Sequence, residues 1–184
     1  DCYFSFACHP CGPCFTICCS YLDLSLTHYD LLRLKNRLGF SSFDFLDKDT
    51  SVVIRHYCCL PMLMLKMKKD SKRTCPFLQS EGCTVYEDRP NACRLYPVAR
   101  AAKYVGGIVK EQHFLVKESH CLGFHEQKEW TDKEWLADQG LELYNQMNSL
   151  WMKINQSSKE NNTPPPITDE KLKMYFMACY NRDM

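Results

Sequence analysis

The sequence predicts a small single domain of the α+β class that is mainly helical and loop-rich, with a minor β-hairpin. Two stretches, residues 24–39 and 131–155, carry apolar residues at helical spacing behind a capping signal. One stretch, residues 51–69, alternates in the way that the two strands of a hairpin do. The remaining segments are interrupted by proline, glycine and cysteine, which favour turns over regular elements.

The first predicted helix lies in the segment LSLTHYDLLRLKNRLG, residues 24–39. Thr27 followed three residues later by Asp30 resembles a capping box, with Asp in the place of Glu. Gly39 is typical of a helix end. We expect Lys35 on the solvent side. The apolar stripe of this helix consists of Leu31, Leu34 and Leu38.

A second short helix is expected to begin at Ser41. Its apolar side chains, expected to point inward, are Phe43, Phe45 and Leu46. The β-branched run at 52–54 and the alternating run at 63–67 then predict the strands of the hairpin. Cys58 and Cys59 fall in its turn, where we interpret them as small buried hydrophobes.

The second half of the chain carries two further predicted elements. Gly106-Gly107 separates two possible strands, roughly 102–105 and 113–116. Thr131 and Glu134 form a capping box that begins one long amphipathic helix, expected to reach about Asn155.

A polar, proline-ended stretch follows that helix and resembles a linker. A short last helix is expected over 168–180. We therefore divide the chain into a main domain, residues 1–156, and a linker with a C-terminal helix, residues 157–184.

Cysteine is the composition outlier. Thirteen of the 184 residues are cysteine, the number is odd, and two pairs are adjacent in sequence. A disulfide framework prefers even counts and separated partners, because neighbouring cysteines bridge each other only with strain. Metal ligation by thiolates is therefore the favoured interpretation, and disulfide bonding is the alternative.

Two segments concentrate these thiols. Residues 8–19 read CHPCGPCFTICC, with two tandem C-x2-C steps, the usual chelate spacing around a zinc ion or a cluster iron. His9 lies inside this run and is interpreted as a loop histidine. Residues 75–97 carry three more thiols in a stretch so short and proline-broken that it needs more than apolar burial to hold it. We expect the domain to wrap around a cysteine-ligated metal centre.

The central stretch resembles a known family. The pattern C-P-F-L-x4-C-x-V-Y-x2-R-P-x2-C-R-x-Y-P, with an upstream C-x2-C-G-x-C, is similar to the YkgJ-type cysteine-cluster family, described as zinc- or iron-chelating proteins. The segments at 24–34 and 121–124 also resemble members of this family. A related domain in flagellin lysine N-methylases is associated with an iron–sulfur cluster.

The resemblance implies nine metal ligands. They are Cys8, Cys11, Cys14, Cys18, Cys19, Cys75, Cys83, Cys93 and Cys121. Many members of the family read C-G-x-C-C, whereas Phe15 follows Cys14 here and the adjacent pair falls at 18–19. Which of Cys11 and Cys14 is surplus is therefore open, and both remain candidates.

Arg89 and Arg94 flank Cys93 and are the cofactor-binding candidates. Their guanidinium groups can donate hydrogen bonds to cluster sulfurs or bind an anion. The alternative is a structural role, paired with Glu87, Asp88 or a helix C-terminus. The sequence does not separate these interpretations.

Three functions are compatible with these patterns. The preferred one is a metal-binding protein that holds an iron–sulfur cluster, of the 4Fe–4S type, with an electron-transfer or redox-accessory role. The alternatives are a structural zinc module that binds a protein partner, and an enzyme related to the methylases. No catalytic constellation stands out, so the enzyme hypothesis ranks last.

Composition excludes some classes of partner. A net charge of +1 and a pI near 7.6 give no reason to expect nucleic-acid binding. No apolar run reaches the roughly 18 residues that a membrane span needs. Abundant cysteines interpreted as unpaired thiols indicate a reducing, cytoplasmic setting. We also expect a protein partner, whose identity the sequence does not give.

Overall fold

The computed structural model describes residues 3–54, 61–159, 168–180 and 183. Its strands are β1 (Tyr3–Ser5), β2 (Ser25–Leu26), β3 (Thr50–Ile54), β4 (Pro61–Leu65), β5 (Leu78–Gln79), β6 (Gly82–Cys83), β7 (Val98–Val105), β8 (Ile108–Leu115) and β9 (Glu129–Thr131). Its α-helices are α1 (His28–Leu38), α2 (Ser42–Asp49), α3 (Asn91–Leu95), α4 (Asp132–Asp138), α5 (Leu141–Lys159) and α6 (Asp169–Tyr180).

The strands form four small antiparallel sheets in the described part of the chain. The predicted hairpin at 51–69 is confirmed as β3 and β4, with Val52 opposite Leu63, and β2 adds a third strand along β4. Its predicted turn, with Cys58 and Cys59, lies outside the described residues. The strands around Gly106-Gly107 are confirmed but longer than predicted.

The starts of α1 and α2 are as predicted. Thr27 and Asp30 form a reciprocal capping box, and Gly39 ends α1 with a φ of 68°. Two side-chain predictions are wrong. Lys35 is buried and forms an ion pair with Asp183 at 2.7 Å, because the chain beyond α6 returns to α1. Phe43, expected to point inward, is 76% exposed.

The single long helix predicted from Thr131 is two helices. The capping box of Thr131 and Glu134 is confirmed at the start of α4. The chain then leaves the helical conformation at Gly140, whose φ of 62° is the left-handed conformation that glycine adopts without a steric penalty. The next helix, α5, is the longest. None of the helices in the described ranges is long and apolar enough to cross a membrane.

Two hydrophobic cores meet at α1. The first packs α1 and α2 against β4, the segment 75–85 and the end of α6, with Leu31, Leu34 and Phe45 fully buried. The second packs β1, α3, β7, α4 and α5 together. Tyr29 extends from α1 into this second core, where its ring meets Tyr144 edge-on.

Apolar burial contributes to holding the central segment, which was expected to need something other than apolar burial, such as a metal centre. Phe77 and Val85 are buried in the first core, and Leu95 is buried in the second. The indole N–H of Trp135 also donates to the Leu95 carbonyl at 2.9 Å. The segment is therefore seated between the two cores by its own side chains.

The predicted fold class requires correction. The described residues are about 39% helix and about 25% strand, divided among several small sheets. The protein is therefore α+β, but it is not dominated by helices, its β-structure exceeds one minor hairpin, and it is not wrapped around a metal centre. The physical reason is that the apolar side chains converge on two separate cores, and most candidate thiols are exposed or half-buried at their margins.

Candidate metal centre

The first five candidate thiols follow β1 in a loop of tight turns. The Gly12 N–H donates to the His9 carbonyl at 2.9 Å, and the Phe15 N–H donates to the Gly12 carbonyl at 3.0 Å. A short 3-10 helix, Ile17–Cys19, ends the loop. Cys8, Cys11 and Cys18 are exposed, whereas Cys14 and Cys19 are half-buried. All five thiols therefore remain near the surface.

Backbone contacts seat the central segment against this loop. The Cys75 N–H donates to the Cys19 carbonyl at 2.8 Å. Gly82 has a φ of 118°, and a side chain there would meet the Phe15 ring at 3.3 Å. Only glycine suits this conformation and this close approach. The turn between β5 and β6 consequently brings Cys83 to the N-terminal loop.

Five thiols at this junction are linked by electrostatic interactions, and we call them the five-thiol group. They are Cys18, Cys19, Cys75, Cys83 and Cys93. The thiol of Cys19 is hydrogen-bonded to Cys18 and lies within electrostatic range of Cys75 and Cys93. Cys93 is in turn within range of Cys18 and Cys83. The N-terminal loop and the central segment, which are far apart in sequence, thus both contribute to one group.

The thiols of this group differ in acidity. Burial is the main cause that raises the pKa of Cys75 and of Cys83. Cys93 is exposed to solvent, yet the protein packed around its sulfur raises its pKa to about 12.

Cys18 and Cys19 titrate as a pair. The hydrogen bond from Cys19 stabilises the Cys18 thiolate and lowers the pKa of Cys18 to about 7. The same hydrogen bond, together with burial, raises the pKa of Cys19. Cys18 is therefore the first of the two to lose its proton.

A second cluster, the three-thiol group, consists of Cys8, Cys14 and Cys121. The thiol of Cys8 lies within electrostatic range of Cys14 and Cys121. It is also within range of Cys18, so the two groups are neighbours. The Leu122 N–H donates to the Cys14 sulfur at 3.2 Å. The Tyr96 side chain is hydrogen-bonded to Cys121, and burial followed by this bond raises the pKa of Tyr96.

Cys11 stands apart from both groups. It is exposed, and it takes part in none of the thiol–thiol interactions described above. Cys14, in contrast, accepts a hydrogen bond and interacts with Cys8. Of the two residues left open by the family pattern, the geometry favours Cys14 as the ligand.

The two arginines have different surroundings. Arg94 is buried and donates to the carbonyls of Glu87 and Gln139, at 2.5 and 2.6 Å. The Gln139 carbonyl lies at the end of α4, so this geometry favours the structural role. Arg89 donates to the side chain of Gln139 at 2.5 Å and partly opposes the effect of burial on the pKa of Cys83 and Cys8. Arg89 is thus the arginine whose charge acts on the candidate thiols.

All nine candidate cysteines lie within the part of the chain that matches a family model. The model is that of the CxxCxxCC family, described as a putative zinc- or iron-chelating domain, and the match covers residues 7–122. The chain belongs to the CxxCxxCC family. This membership confirms the resemblance to the YkgJ type and supports metal binding. No curated protein and no solved structure matches the chain.

The donor chemistry of both thiol groups fits the metals in the description of the CxxCxxCC family. Thiolates are soft ligands that suit zinc and iron–sulfur clusters. Within the described residues, no three histidine, cysteine, aspartate or glutamate side chains already form a group that could hold a metal ion. A cysteine redirects its sulfur by rotating about one bond, so the thiols of both groups can turn toward a metal ion.

Asp30 has a second hydrogen bond near the candidate site that the sequence did not reveal. Its buried carboxylate accepts from the Thr27 N–H at 2.8 Å and also from the Asn91 N–H at 2.7 Å. It thereby joins the start of α1 to the start of α3, the helix that carries Cys93. The capping signal identified the first bond, whereas the second spans 61 residues and had no local signal.

Proposed function

We propose that this protein of the CxxCxxCC family binds an iron–sulfur cluster at the five-thiol group and has an electron-transfer or redox-accessory role. One observation carries the proposal: five thiols from two distant segments interact with one another in a single group. A bound cluster would supply one-electron chemistry. The protein supplies the thiolate ligands and their surroundings.

The crowding and irregular spacing of the thiols support iron–sulfur over zinc. A closed tetrahedral zinc site uses four ligands, usually from two regular C-x2-C pairs. The five-thiol group offers one more thiol than that, with the adjacent pair Cys18-Cys19 and irregular spacing in the remainder. A 4Fe–4S cluster is likewise held by four cysteines, which leaves one of the five outside the ligand set.

The surroundings of the group suit anionic ligands. Arg89 favours the thiolate of Cys83 against the effect of burial. The main-chain N–H groups of Val85, Phe77 and Leu78 also form hydrogen bonds to Cys83 or Cys75 that favour their thiolates. Hydrogen bonds of this kind are the means by which a protein adjusts the reduction potential of a cluster.

The test is anaerobic purification of the full chain, followed by a visible spectrum and analysis of iron, acid-labile sulfide and zinc in the same sample. We expect broad thiolate-to-iron absorption with stoichiometric iron and sulfide. Cys83→Ser should lose most of that absorption, whereas the matched control Cys11→Ser, with its thiol outside both groups, should retain it. A colourless protein whose zinc content falls in Cys83→Ser would refute the cluster and establish a zinc module.

A further inference from the structure

The longest helix, α5, carries apolar residues on two of its sides. Leu141 and Tyr144 are buried in the second core, and Trp151 packs against the first. A second set of large aliphatic residues lies on the solvent side of α5, belongs to neither core, and is between 39% and 56% exposed. We call this set the exposed stripe, and its members are Leu143, Met147, Leu150 and Ile154. A helix that is apolar on its outer side as well as its inner side is typically covered on both.

The spacing of the exposed stripe is that of a contact between two helices. Its members follow one another at intervals of four, three and four residues. This is the spacing of the a and d positions of a coiled coil, whose side chains line up along the surface that meets the other helix. The stripe extends over about three turns, or roughly 16 Å of helix. A second α-helix therefore fits this surface.

Two charged residues beside the exposed stripe indicate which helix that is. Glu142 and Lys153 are exposed and lie on the same side of the stripe, because eleven residues complete about three turns. No ion pair in the described ranges includes either side chain. A second copy of α5 in the antiparallel orientation brings Glu142 of each copy beside Lys153 of the other. A parallel copy would instead place like charges at the same height. The surface is thus complementary to itself in one orientation, as a two-fold interface requires.

We propose that the exposed stripe is a homodimer interface, in which the α5 helices of two copies pack antiparallel about a two-fold axis. Leu143 of one copy then meets Ile154 of the other. In the middle of the contact, Met147 of one copy meets Leu150 of the other. The proposal goes beyond the iron–sulfur proposal and does not depend on which metal the thiols bind.

The size of the contact sets the expected affinity. Three turns of helix form a small interface, below roughly 1,200 Å² in total, which is the range of weak and transient complexes. We therefore expect a dissociation constant of about 1–100 μM.

The first test is sedimentation equilibrium of the full chain from about 1 to 500 μM, with a reductant present to prevent disulfide-linked dimers. The average mass of the parent should rise from one chain toward two. Leu150→Glu places a charge in the middle of the stripe and should remain monomeric throughout. The matched control Phe43→Glu introduces the same charge at an exposed apolar residue of α2 and should dimerise like the parent.

Two outcomes of this test would overturn the proposal. One is a parent that stays monomeric over the whole range, including the case in which a different protein covers the stripe. The other is equal loss of the dimer in Leu150→Glu and Phe43→Glu. Because both replaced side chains are substantially exposed, the circular dichroism spectra of the two variants should match that of the parent.

A charge exchange tests the antiparallel orientation separately. Glu142→Lys and Lys153→Glu should each weaken the dimer about 3- to 10-fold, because each creates two contacts between like charges in the dimer. The double variant Glu142→Lys/Lys153→Glu should restore the affinity of the parent. If the double variant is no tighter than the single variants, the two residues do not meet across the interface and the antiparallel arrangement is refuted.

Discussion

Replacement of Asp30 by alanine tests how the fold holds α3 in place. The Asp30 carboxylate is fully buried and accepts from two main-chain N–H groups, those of Thr27 and Asn91. Asp30→Ala removes both acceptors. The Asn91 N–H then loses its charged partner at the start of the helix that carries Cys93.

The expected loss follows from these two bonds. The bond to Thr27 is a helix cap, with a contribution of about 1 kcal/mol. The bond from Asn91 to a buried charged acceptor contributes about 1.5–3 kcal/mol. Burial raises the pKa of Asp30, so relief of the buried charge offsets part of the loss at neutral pH. We expect Asp30→Ala to lower the free energy of unfolding by about 2–4 kcal/mol.

The assay is urea unfolding followed by circular dichroism, with Glu134→Ala as the matched control. Glu134 occupies the same capping-box position in α4, but it is exposed, and in the described ranges its carboxylate bonds only to Thr131. Its replacement should therefore cost clearly less than Asp30→Ala. Equal losses in the two variants would refute the reasoning, because the bond to Asn91 would then contribute nothing.

The pH dependence supplies an independent check on Asp30. Because its folded-state pKa is raised above 3.8, the folded state takes up a proton more readily than the unfolded chain. The parent consequently gains stability, relative to Asp30→Ala, as the pH falls through the folded-state pKa toward 3.8. The difference in free energy of unfolding between the parent and Asp30→Ala should therefore increase over that pH range. A difference that narrows would mean that the carboxylate is not destabilised by burial.

Two further predictions concern the thiols. Gly123→Ala, beside Cys121, should lower the free energy of unfolding by about 1–3 kcal/mol, because the added Cβ would meet the Ala7 carbonyl oxygen and the Phe6 ring. Calorimetry measures this effect, and an unchanged melting temperature would contradict the close approach. Only the thiolate form of a cysteine is alkylated, so the rate of alkylation follows the pKa of the thiol. In the metal-free, reduced protein, the alkylation rate of Cys18, measured by mass spectrometry, should level off above about pH 8. The rate for Cys93 should instead keep rising about tenfold per pH unit up to about pH 9. Parallel pH profiles would show that the two thiols do not differ in acidity.

Elements with local signals were predictable from the sequence. The capping boxes at Thr27 and Thr131 and the left-handed Gly39 are set by side chains within a few residues of one another, and the structure confirms them. The hairpin at 51–69 had a comparable signal in its alternation. These elements depend on hydrogen bonds and side-chain periodicity between residues that are close together in the sequence.

Burial was less predictable. Lys35 was expected in solvent because helical periodicity places it off the apolar stripe, but Asp183 reaches it across 148 residues. Phe43 was expected to be buried because it is apolar. In the structure, α2 faces the core on the side that carries Phe45, and Phe43 lies on the exposed side. The break at Gly140 was missed because a single glycine is tolerated in many amphipathic helices.

The sequence by itself determined the number of thiols, their chelate spacing, the family and the starts of the helices. These features depend on which residues lie close together along the chain. Only the tertiary structure decided which thiols share a group. Cys19, Cys75 and Cys93 are brought within electrostatic range by the packing of distant segments between two cores. Cys14 is held beside the segment of Cys121 by the Leu122 N–H, which donates to the Cys14 sulfur across 108 residues. Such proximity depends on how the two cores close, and spacing along the chain carries no information about it.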